Sequence, residues 1–336
     1  MTELVAALPP VTEAQHARIL GAPRDAATHA ALMADIPAMN TVEIGGTPTS
    51  KALPREVTVA AWNLERCLFP EASAAYLAPA KPALVLVSEM DIGMDRTGQR
   101  NTIAEMAAAL GMTYAFGVEF YEVDLGSVTE RLFCKDGYNA LGFHGNGILS
   151  SVPIQRAAMF RLDPKGHWFC TDDDGAGDPA KLRLGGRMAV AAVVMSQAGP
   201  ICAVSTHLEA NCGPAMRHAQ FETLLDAVDE FAPDMPVLIG GDLNSGNHLL
   251  PRFDWRDETL FDMAEGRGYD WSASPDGITV RASLISPHES RRMRLDWFAT
   301  RGLTGTPHPL RAPLRPDGIP LSDHKCILAD FSLGHL

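Results

Sequence analysis

The sequence has no excess of positive charge. It contains 41 acidic residues against 28 lysines and arginines, a formal net charge of −13 at pH 7, and a pI near 5.3. The field around such a protein repels polyphosphate chains and anionic lipid. The composition therefore opposes long-range attraction to nucleic acid or to an anionic membrane, although a bound metal or a local basic cleft would still allow either to bind.

Paired cysteines, leader-like segments and long apolar runs are also missing. The six cysteines form no CxxC pair, and Cys202 and Cys326 fall inside apolar runs, so we expect reduced and mostly buried thiols. The first residues lack a basic stretch and are interrupted by Pro9 and Pro10, which is not typical of a secretory signal. No apolar run reaches the roughly 18 residues of a membrane span. These absences predict a cytoplasmic protein without a membrane span.

The remaining composition is that of a folded protein, with 46% hydrophobic and 21% charged residues. Residues 1–54 contain two short helical patterns and then the Gly/Pro/Thr-rich stretch IGGTPTSKALP. We predict that 1–54 form a helical extension with a linker, and that the main domain covers 55–336.

The main domain alternates strand-like and helical patterns. Two helices are predicted in TIAEMAAAL and AMRHAQFETLLDAVDEF, and the mixture predicts two sheets packed face to face with helices outside. The strand-like runs are VTVAAWN, ALVLVSE, NGILSSVPI, RMAVAAVVM, ICAVSTH, VLIGGDLN, LDWFAT and KCILADF.

Most of these apolar runs begin or end with a polar residue that is costly to bury. A single polar residue at a strand end is most often a turn former or simply exposed to solvent. The recurrence of such residues at so many strand ends is not explained by either. Antiparallel neighbours place the end of one strand beside the start of the next, so these residues can meet at one edge of a sheet. They are Asn63, Glu89, His207, Asp242, Asn244, Asp296, Asp323 and His324.

Several carboxylates at one edge repel each other unless a cation neutralises them. Carboxylate and amide oxygens with few imidazoles suit a hard ion, and we predict Mg²⁺ or Mn²⁺ as the cofactor. Zinc is less favoured, although it stays an alternative because His207 and His324 are residues of a type that binds zinc.

The order of seven short motifs resembles a known family. AAWNLE, LVSEMD, GNGILSSVPI, STHLEA, GGDLNS, RLDWFAT and LSDHKCI follow each other as in the endonuclease/exonuclease/phosphatase superfamily, which includes DNase I-like nucleases, apurinic endonucleases, neutral sphingomyelinases and inositol polyphosphate 5-phosphatases. The resemblance covers about 55–332. It implies a four-layer α/β sandwich, a catalytic domain at 55–336, and metal-dependent cleavage of a phosphoester.

The resemblance also implies roles for the metal-binding residues. Glu89 resembles the principal metal ligand, with Asn63 beside it and Asp323 close to the metal. Glu65 lies where some members carry a second acidic ligand, so one-metal and two-metal versions both stay open. The glutamine that usually precedes the metal-binding acid is Ser88 here.

Five further residues resemble the family's catalytic groups. Asp242 corresponds to the group that orients or deprotonates the attacking water, and Asn244 to one that holds the phosphate or Asp242. His324 resembles a phosphate-binding or acid–base histidine, with Asp296 as its carboxylate partner. His207 resembles a histidine that helps to protonate the leaving oxygen in DNase I-like enzymes, sphingomyelinases and 5-phosphatases. Apurinic endonucleases have tyrosine at the matching position, so the histidine disfavours a role in base-excision repair.

Four residues are candidates for substrate binding, each with a structural alternative. Arg187 is either a phosphate contact or part of a surface ion pair. Asn146 belongs to a turn that members of the family share, so a structural role is at least as well supported as substrate binding. His144 and His248 either line the cleft or belong to the core or surface.

The predicted function is hydrolysis of a small or lipid-derived phosphoester by a phosphodiesterase or phosphatase. A nuclease of the same fold is the alternative, so nucleic acid stays a candidate partner but is not favoured, because no basic segment with interleaved aromatics is present. A non-catalytic scaffold is disfavoured, since a binding module has no need of the complete acidic and imidazole set.

Overall fold

Two β-sheets packed face to face form the centre of the protein, seen in a computed structural model that describes residues 2–171, 175–177, 181–288 and 292–333. Short 3-10 turns occupy Pro37–Asn40, Ala78–Ala80, Asp95–Thr97 and Trp255–Asp257. The helices and strands are, in chain order, β1 (Glu3–Val5), α1 (Glu13–Gly21), α2 (Ala26–Asp35), β2 (Thr41–Gly46), β3 (Glu56–Arg66), α3 (Pro70–Leu77), β4 (Leu84–Ile92), α4 (Thr102–Leu110), β5 (Thr113–Glu122), α5 (Val128–Arg131), β6 (Phe143–Ser150), β7 (Ile154–Arg161), β8 (Arg183–Gly185), β9 (Met188–Ser196), β10 (Gly199–His207), α6 (Pro214–Phe231), β11 (Val237–Asp242), α7 (Leu260–Gly266), β12 (Asp296–Arg301), β13 (Thr304–Pro307) and β14 (Ile327–Ser332).

Both sheets are mixed. The first has the order β1-β2-β5-β6-β4-β3-β14-β13, with β8 paired to the end of β5. The second has the order β12-β11-β10-β9-β7. In the first sheet β3 and β4 are parallel, and in the second β10 and β11 are parallel. The polar C-terminal ends of β3 and β4 therefore lie at the same end of the first sheet. In the same way, the polar C-terminal ends of β10 and β11 lie at one end of the second sheet.

Apolar side chains on both faces of the sheets produce four layers. In β3, Val59 and Ala61 belong to the core between the sheets, whereas Ala60 and Trp62 belong to the core beneath the outer helices. This alternation follows from the period of two in a strand. The second sheet is covered on its outer face by α6, and together these layers confirm the predicted α/β sandwich.

The first 54 residues contain more than the predicted helical extension. The two helices are present, capped by the side chains of Thr12 and Asp25. However, β2 pairs with β5, and β1 pairs with β2, so the predicted linker is partly a strand of the first sheet. Burial of Val42 between the sheets explains this pairing. The division of the chain at residue 54 stays a prediction.

In the part of the chain that the structure describes, every helix is too short or too polar to cross a membrane.

Candidate active site

An irregularity in the first sheet presents Glu89 to the cleft. Pairing between β3 and β4 shifts register after Asn63 and Ser88, and pairing between β4 and β6 shifts after Val87. Glu89 itself has a φ of 57°, which is rare for a residue other than glycine. A bulge of this kind turns a side chain away from its regular direction. The bulge thereby lets the Glu89 side chain line the cleft from within β4.

The second sheet delivers three site residues side by side. In the register of its strands His207 pairs with Asp242, and Asp242 pairs with Asp296. All three are buried. Adjacent strands thus place an imidazole and two carboxylates in one row at the end of the sheet.

Asn63 connects the two sheets at this row. Its Nδ2 donates to Glu89 Oε1 at 3.0 Å and to Asp242 Oδ2 at 3.1 Å. Asn244 continues the network beyond the strand end, because its backbone N–H donates to Asp242 Oδ1 at 2.8 Å. The Asn244 side chain donates in turn to the carbonyl of Leu208 at 3.0 Å. Asp242 is therefore held by groups from both sheets.

His324 lies between two carboxylates. Its Nδ1 is 2.8 Å from Asp296 Oδ2, and its Nε2 is 3.5 Å from Asp242 Oδ2 and 4.0 Å from Asp323 Oδ1. Burial alone would lower the pKa of His324, but Asp296, Asp242 and Asp323 raise it well above its ordinary value. The ring is held as an imidazolium that faces Asp242.

His207 faces Asp242 from the other side. Its Nε2 is 3.7 Å from Asp242 Oδ2 and 4.0 Å from Glu89 Oε1, while Arg187 Nη1 lies 2.8 Å from its Nδ1. The same Nη1 lies 3.1 Å from Nε2, and Glu119 Oε2 lies 3.5 Å from Nδ1, so Nδ1 has an acceptor as well as a donor beside it. Burial and Arg187 lower the pKa of His207, but Glu119 and Asp242 raise it further, so the net direction is upward.

Arg187 is neutralised by two carboxylates. Its Nη1 donates to Glu119 Oε1 at 2.6 Å and its Nε donates to Glu209 Oε2 at 3.1 Å. Both glutamate side chains are 0% exposed. Arg187 lines the cleft, but its charge is compensated inside the protein. The ion pairs of Arg187 are buried and do not lie at the surface, and its contact with phosphate stays a prediction.

Arg66 holds Glu89 and a nearby loop together. Its guanidinium contacts Glu89 Oε2 through Nη1, and its Nε donates to Glu130 Oε1 at 2.7 Å. Glu130 also accepts from Arg96 Nη1 at 3.0 Å. Burial would raise the pKa of Glu89, but Arg66, His207 and other positive groups hold it well below its usual range. Glu89 is therefore ionised in its pocket.

The pKa values of two other acids near Glu89, Glu65 and Asp323, are raised instead of lowered. Burial and the charge of Asp323 raise the pKa of Glu65 to about 8. Burial and the carboxylate of Glu89 raise the pKa of Asp323 to about 6, although His324 opposes this. Glu65 accepts from Ser283 Oγ at 2.6 Å and from the Asp323 backbone N–H at 3.1 Å. The site thus contains more carboxylate than its own cations neutralise.

A cleft of about 830 Å³ opens onto these groups. Asn63, Glu65 and Asp296 lie directly behind its surface, where they hold lining residues by hydrogen bonds. The predicted residues that line it are Glu89, Arg187, His207, Asp242, Asn244, Asp323 and His324.

Three predicted substrate-binding residues are not among the lining residues. His144 is buried on β6 and its Nδ1 is 2.8 Å from Asp91 Oδ1. Asn146, also on β6, donates to the carbonyl of Met188 at 3.1 Å. His248 is exposed outside the cleft lining. Of the alternatives left open for these histidines, His144 lies in the core and His248 lies at the surface, and substrate binding by either stays a prediction.

Several residues that build the site were missed by the sequence analysis. Arg66 directly follows the motif AAWNLE, and Glu209 lies within STHLEA. A charged residue next to a predicted strand end could therefore have indicated that each belongs to the site. Glu119 lies in β5, a strand that was not predicted, and Glu130 lies in a stretch without a clear pattern. For these two, no sequence signal indicated a role.

Solved structures share the fold. An endonuclease/exonuclease/phosphatase from Beutenbergia cavernae superposes with a TM-score of 0.57 at 18% identity, over 83% of this chain and 72% of that chain. One from Bacteroides vulgatus gives 0.55 at 16% identity, over 83% and 99%. The human Nocturnin catalytic domain, solved with a bound sulfate anion, gives 0.53 at 16% identity, over 87% and 96%. At this identity the similarity shows the fold.

The family assignment comes from the sequence itself. A search of curated proteins gives no significant match. The profile of the Endonuclease/Exonuclease/phosphatase family matches residues 60–324, a range that includes the strand-end residues from Asn63 to His324. The resemblance seen in the motifs is therefore confirmed, and the chain belongs to the endonuclease/exonuclease/phosphatase family.

Proposed function

We propose that this protein is a divalent-metal-dependent phosphoester hydrolase that acts on a small or lipid-derived phosphoester. The observation that carries the proposal is the position of Asp242. Its Oδ2 lies 3.1 Å from Asn63 Nδ2, 3.5 Å from His324 Nε2 and 3.7 Å from His207 Nε2, at the floor of an open cleft. Members of the family are generally hydrolases that act on phosphoesters, which supports the same reaction class.

Asp242 is proposed to orient the attacking water and to accept its proton. Its carboxylate is fixed by Asn63 and by the backbone of Asn244, so it cannot rotate away from the cleft. A positioned acid–base group of this kind typically contributes a factor of about 10² to 10⁴ to the rate. The fixed direction of the carboxylate defines the side from which water would attack the phosphorus.

The two histidines are proposed to stabilise and protonate the phosphate oxygens. His324, kept charged by Asp296, would bind an anionic oxygen of the phosphate. His207, which lines the cleft, would donate a proton to the leaving oxygen. Both rings lie within 4 Å of the same oxygen, Asp242 Oδ2, so a phosphate bound beside Asp242 would be within reach of each.

The carboxylates beside Asn63 fit a hard divalent cation. Burial and, after it, the neighbouring carboxylates raise the pKa values of Glu65 and Asp323, and a cation would relieve the repulsion between these carboxylates. We propose Glu89 and Asp323 as its ligands, with Asn63 alongside and Glu65 bracing Asp323. When bound, Mg²⁺ or Mn²⁺ would take up negative charge on the non-bridging oxygens of the phosphate.

A second group of donors lies close enough to suggest a metal site. One ligand atom from each of Asp242, Asp296 and His324 lies within 4.8 Å of the others. However, the 2.8 Å contact between Asp296 and His324 is a hydrogen bond, and a charged ring has no lone pair to offer a metal. We therefore interpret this group as an acid–base chain and not as a ligand set.

The test is turnover of a phosphoester panel by the full chain. The panel contains bis-(p-nitrophenyl) phosphate, p-nitrophenyl phosphate and supercoiled plasmid, each with Mg²⁺, Mn²⁺, Ca²⁺ or EDTA. We expect Mg²⁺ or Mn²⁺ to support turnover of at least one small phosphoester and EDTA to abolish it. Undiminished turnover in EDTA would refute the metal dependence, and cleavage of plasmid alone would replace this proposal with a nuclease.

A further inference from the structure

A positive charge of the protein itself lies against the proposed metal ligand Glu89. The Arg66 guanidinium contacts Glu89 Oε2 through Nη1, and Asn63 Nδ2 donates to Glu89 Oε1 at 3.0 Å. Both oxygens of this carboxylate therefore already have donors from the protein. The side chains of Arg66 and Glu89 are 17% and 18% exposed, so water and salt screen their charges only weakly.

The backbone that carries Arg66 has an uncommon conformation. Glu65, Arg66 and Cys67 are three consecutive residues other than glycine with positive φ values, 44°, 74° and 56°. They lie at the register shift between β3 and β4 that follows Asn63. Residues in this region are strained, persist only where the surrounding structure holds them, and cluster at functional sites. The strained backbone therefore supports a role for Arg66 in the site itself.

Arg66 has a second acceptor in Glu130. Its Nε donates to Glu130 Oε1 at 2.7 Å, and the Glu130 side chain is 6% exposed. The guanidinium is thus shared between two carboxylates. Only one of them, Glu89, is a proposed metal ligand.

Glu130 is fixed independently of Arg66. Its Oε2 accepts from the Ser127 backbone N–H at 2.6 Å, and its Oε1 also accepts from Arg96 Nη1 at 3.0 Å. Arg96 is in turn anchored on Asp91 by two hydrogen bonds, of 2.7 and 2.9 Å, and its side chain is 1% exposed. Glu130 is therefore a stationary acceptor that holds one edge of the Arg66 guanidinium.

We propose that Arg66 competes with the divalent cation for Glu89, and that Glu130 is a positioning residue that limits this competition by holding part of the guanidinium. This inference rests on the metal dependence of the proposed function and adds two residues that set the affinity for the metal. A cation that approaches Glu89 meets the charge of Arg66 on the same carboxylate, and like charges repel more strongly where water is largely excluded. Arg66 therefore weakens metal binding, and Glu130 strengthens it.

The experiment is a titration of the full chain with Mn²⁺, followed by the electron paramagnetic resonance signal of free Mn²⁺, with no substrate present. We expect Arg66→Gln to bind Mn²⁺ about tenfold more tightly than wild type, because the competing charge is removed. Glu130→Gln should bind about tenfold more weakly, because the charge of the guanidinium then rests on Glu89 alone. Arg66→Met removes the same charge and replaces Arg66→Gln if that variant fails to fold.

Arg267→Gln is the matched control. Arg267 also shares two carboxylates, those of Asp226 and Asp229, and it is not among the residues that line the cleft. Its substitution should leave the affinity for Mn²⁺ unchanged. An equal change in Arg267→Gln would show that the effect of Arg66→Gln is not specific to the site, and would overturn the inference.

A double variant tests whether Glu130 acts through Arg66. In the Arg66→Gln background, Glu130→Gln should change the affinity for Mn²⁺ by at most about twofold, because the interaction on which it acts has been removed. Equal effects of Glu130→Gln in both backgrounds would overturn its positioning role. Weaker binding of Mn²⁺ by Arg66→Gln than by wild type would show that Arg66 orients Glu89 for the metal, and would overturn the competition.

The same titration separates this inference from the proposed function. The expected order of affinities without turnover of any phosphoester would defeat the proposed function and leave the inference standing. Turnover with Mn²⁺ but without that order would defeat the inference alone. If neither wild type nor Arg66→Gln binds Mn²⁺, the inference fails together with the metal dependence.

Discussion

Asp296 and His324 form a buried pair in which Oδ2 of the acid lies 2.8 Å from Nδ1 of the ring. Asp296 is 0% exposed, and the pair comes from two different sheets, β12 on one side and the segment before β14 on the other. The opposite nitrogen of the ring faces Asp242 at 3.5 Å. The active site is therefore assembled by the packing of the two sheets, and each sheet alone would contain an incomplete set.

We expect His324→Ala and Asp242→Asn to lower turnover by at least about 100-fold, the usual loss for a positioned acid–base group. His324→Ala removes the charge that would bind the phosphate, and Asp242→Asn removes the base without changing its size. The measurement is kcat on whichever phosphoester the panel identifies, with circular dichroism to confirm folding. Asp234→Asn is the control, because Asp234 is exposed at a surface away from the cleft.

Near-normal turnover in either variant would contradict the assignment of the site. Asp296→Asn gives a graded result, since asparagine can still orient the ring but cannot stabilise its charge. It should therefore fall between His324→Ala and the wild type.

Arg187→Gln should lower kcat and stability and leave KM nearly unchanged. The substitution leaves Glu119 and Glu209 buried without their cation, a change that typically costs about 3–5 kcal/mol of unfolding free energy. It also removes the donor at Nδ1 of His207. Steady-state kinetics with thermal unfolding separates the two readings of this residue. A rise in KM with unchanged kcat would instead show that Arg187 contacts the phosphate.

Acid should destabilise the fold through its buried glutamates. Burial raises the pKa of Glu119, but Arg187 and His207 lower it further, to about 2 against an ordinary value of 4.5. The unfolded chain therefore binds the proton first, so this contribution to stability is complete above the ordinary pKa and is lost as pH falls toward 2. The Tm should fall as the pH is lowered from about 4.5 to about 2. Glu119→Gln should flatten that slope, whereas Glu56→Gln, an exposed control on β3, should not.

Much of the site could be predicted because strand ends are visible in sequence. Apolar runs that stop at Asp242 or begin at Asp296 indicate both the strand and its polar tip, and antiparallel pairing then brings the tips together. The predicted helix TIAEMAAAL coincides with α4, whose apolar face is periodic and whose N-cap is Asn101.

The parts that were missed depend on tertiary contacts. The whole of β5 is buried, and its glycine and glutamate interrupt the apolar pattern that would mark a central strand. The buried Glu119 carboxylate is compensated there by Arg187, which donates to it at 2.6 Å, and by His207 at 3.5 Å, and both come from distant parts of the chain. The bulge at Glu89 and the ion pairs of Arg66 are likewise results of register and packing, which no local pattern in one sequence contains.

Gly241 should be the least replaceable glycine next to the site. Its φ is 155°, and a Cβ built on it would lie 1.9 Å from the carbonyl oxygen of Thr206 on the paired strand β10. Gly241→Ala must therefore push β11 away from β10 and displace Asp242, the next residue. We expect a fall in Tm together with at least a tenfold loss of kcat, because misplacing a catalytic group by about 1 Å costs roughly 10² in rate. Gly266→Ala is the matched control, since nothing lies within 4 Å of its Cβ position at the end of α7, and it should keep the wild-type kcat without a fall in Tm. Normal kcat in Gly241→Ala would show that the close approach of these two strands does not fix Asp242.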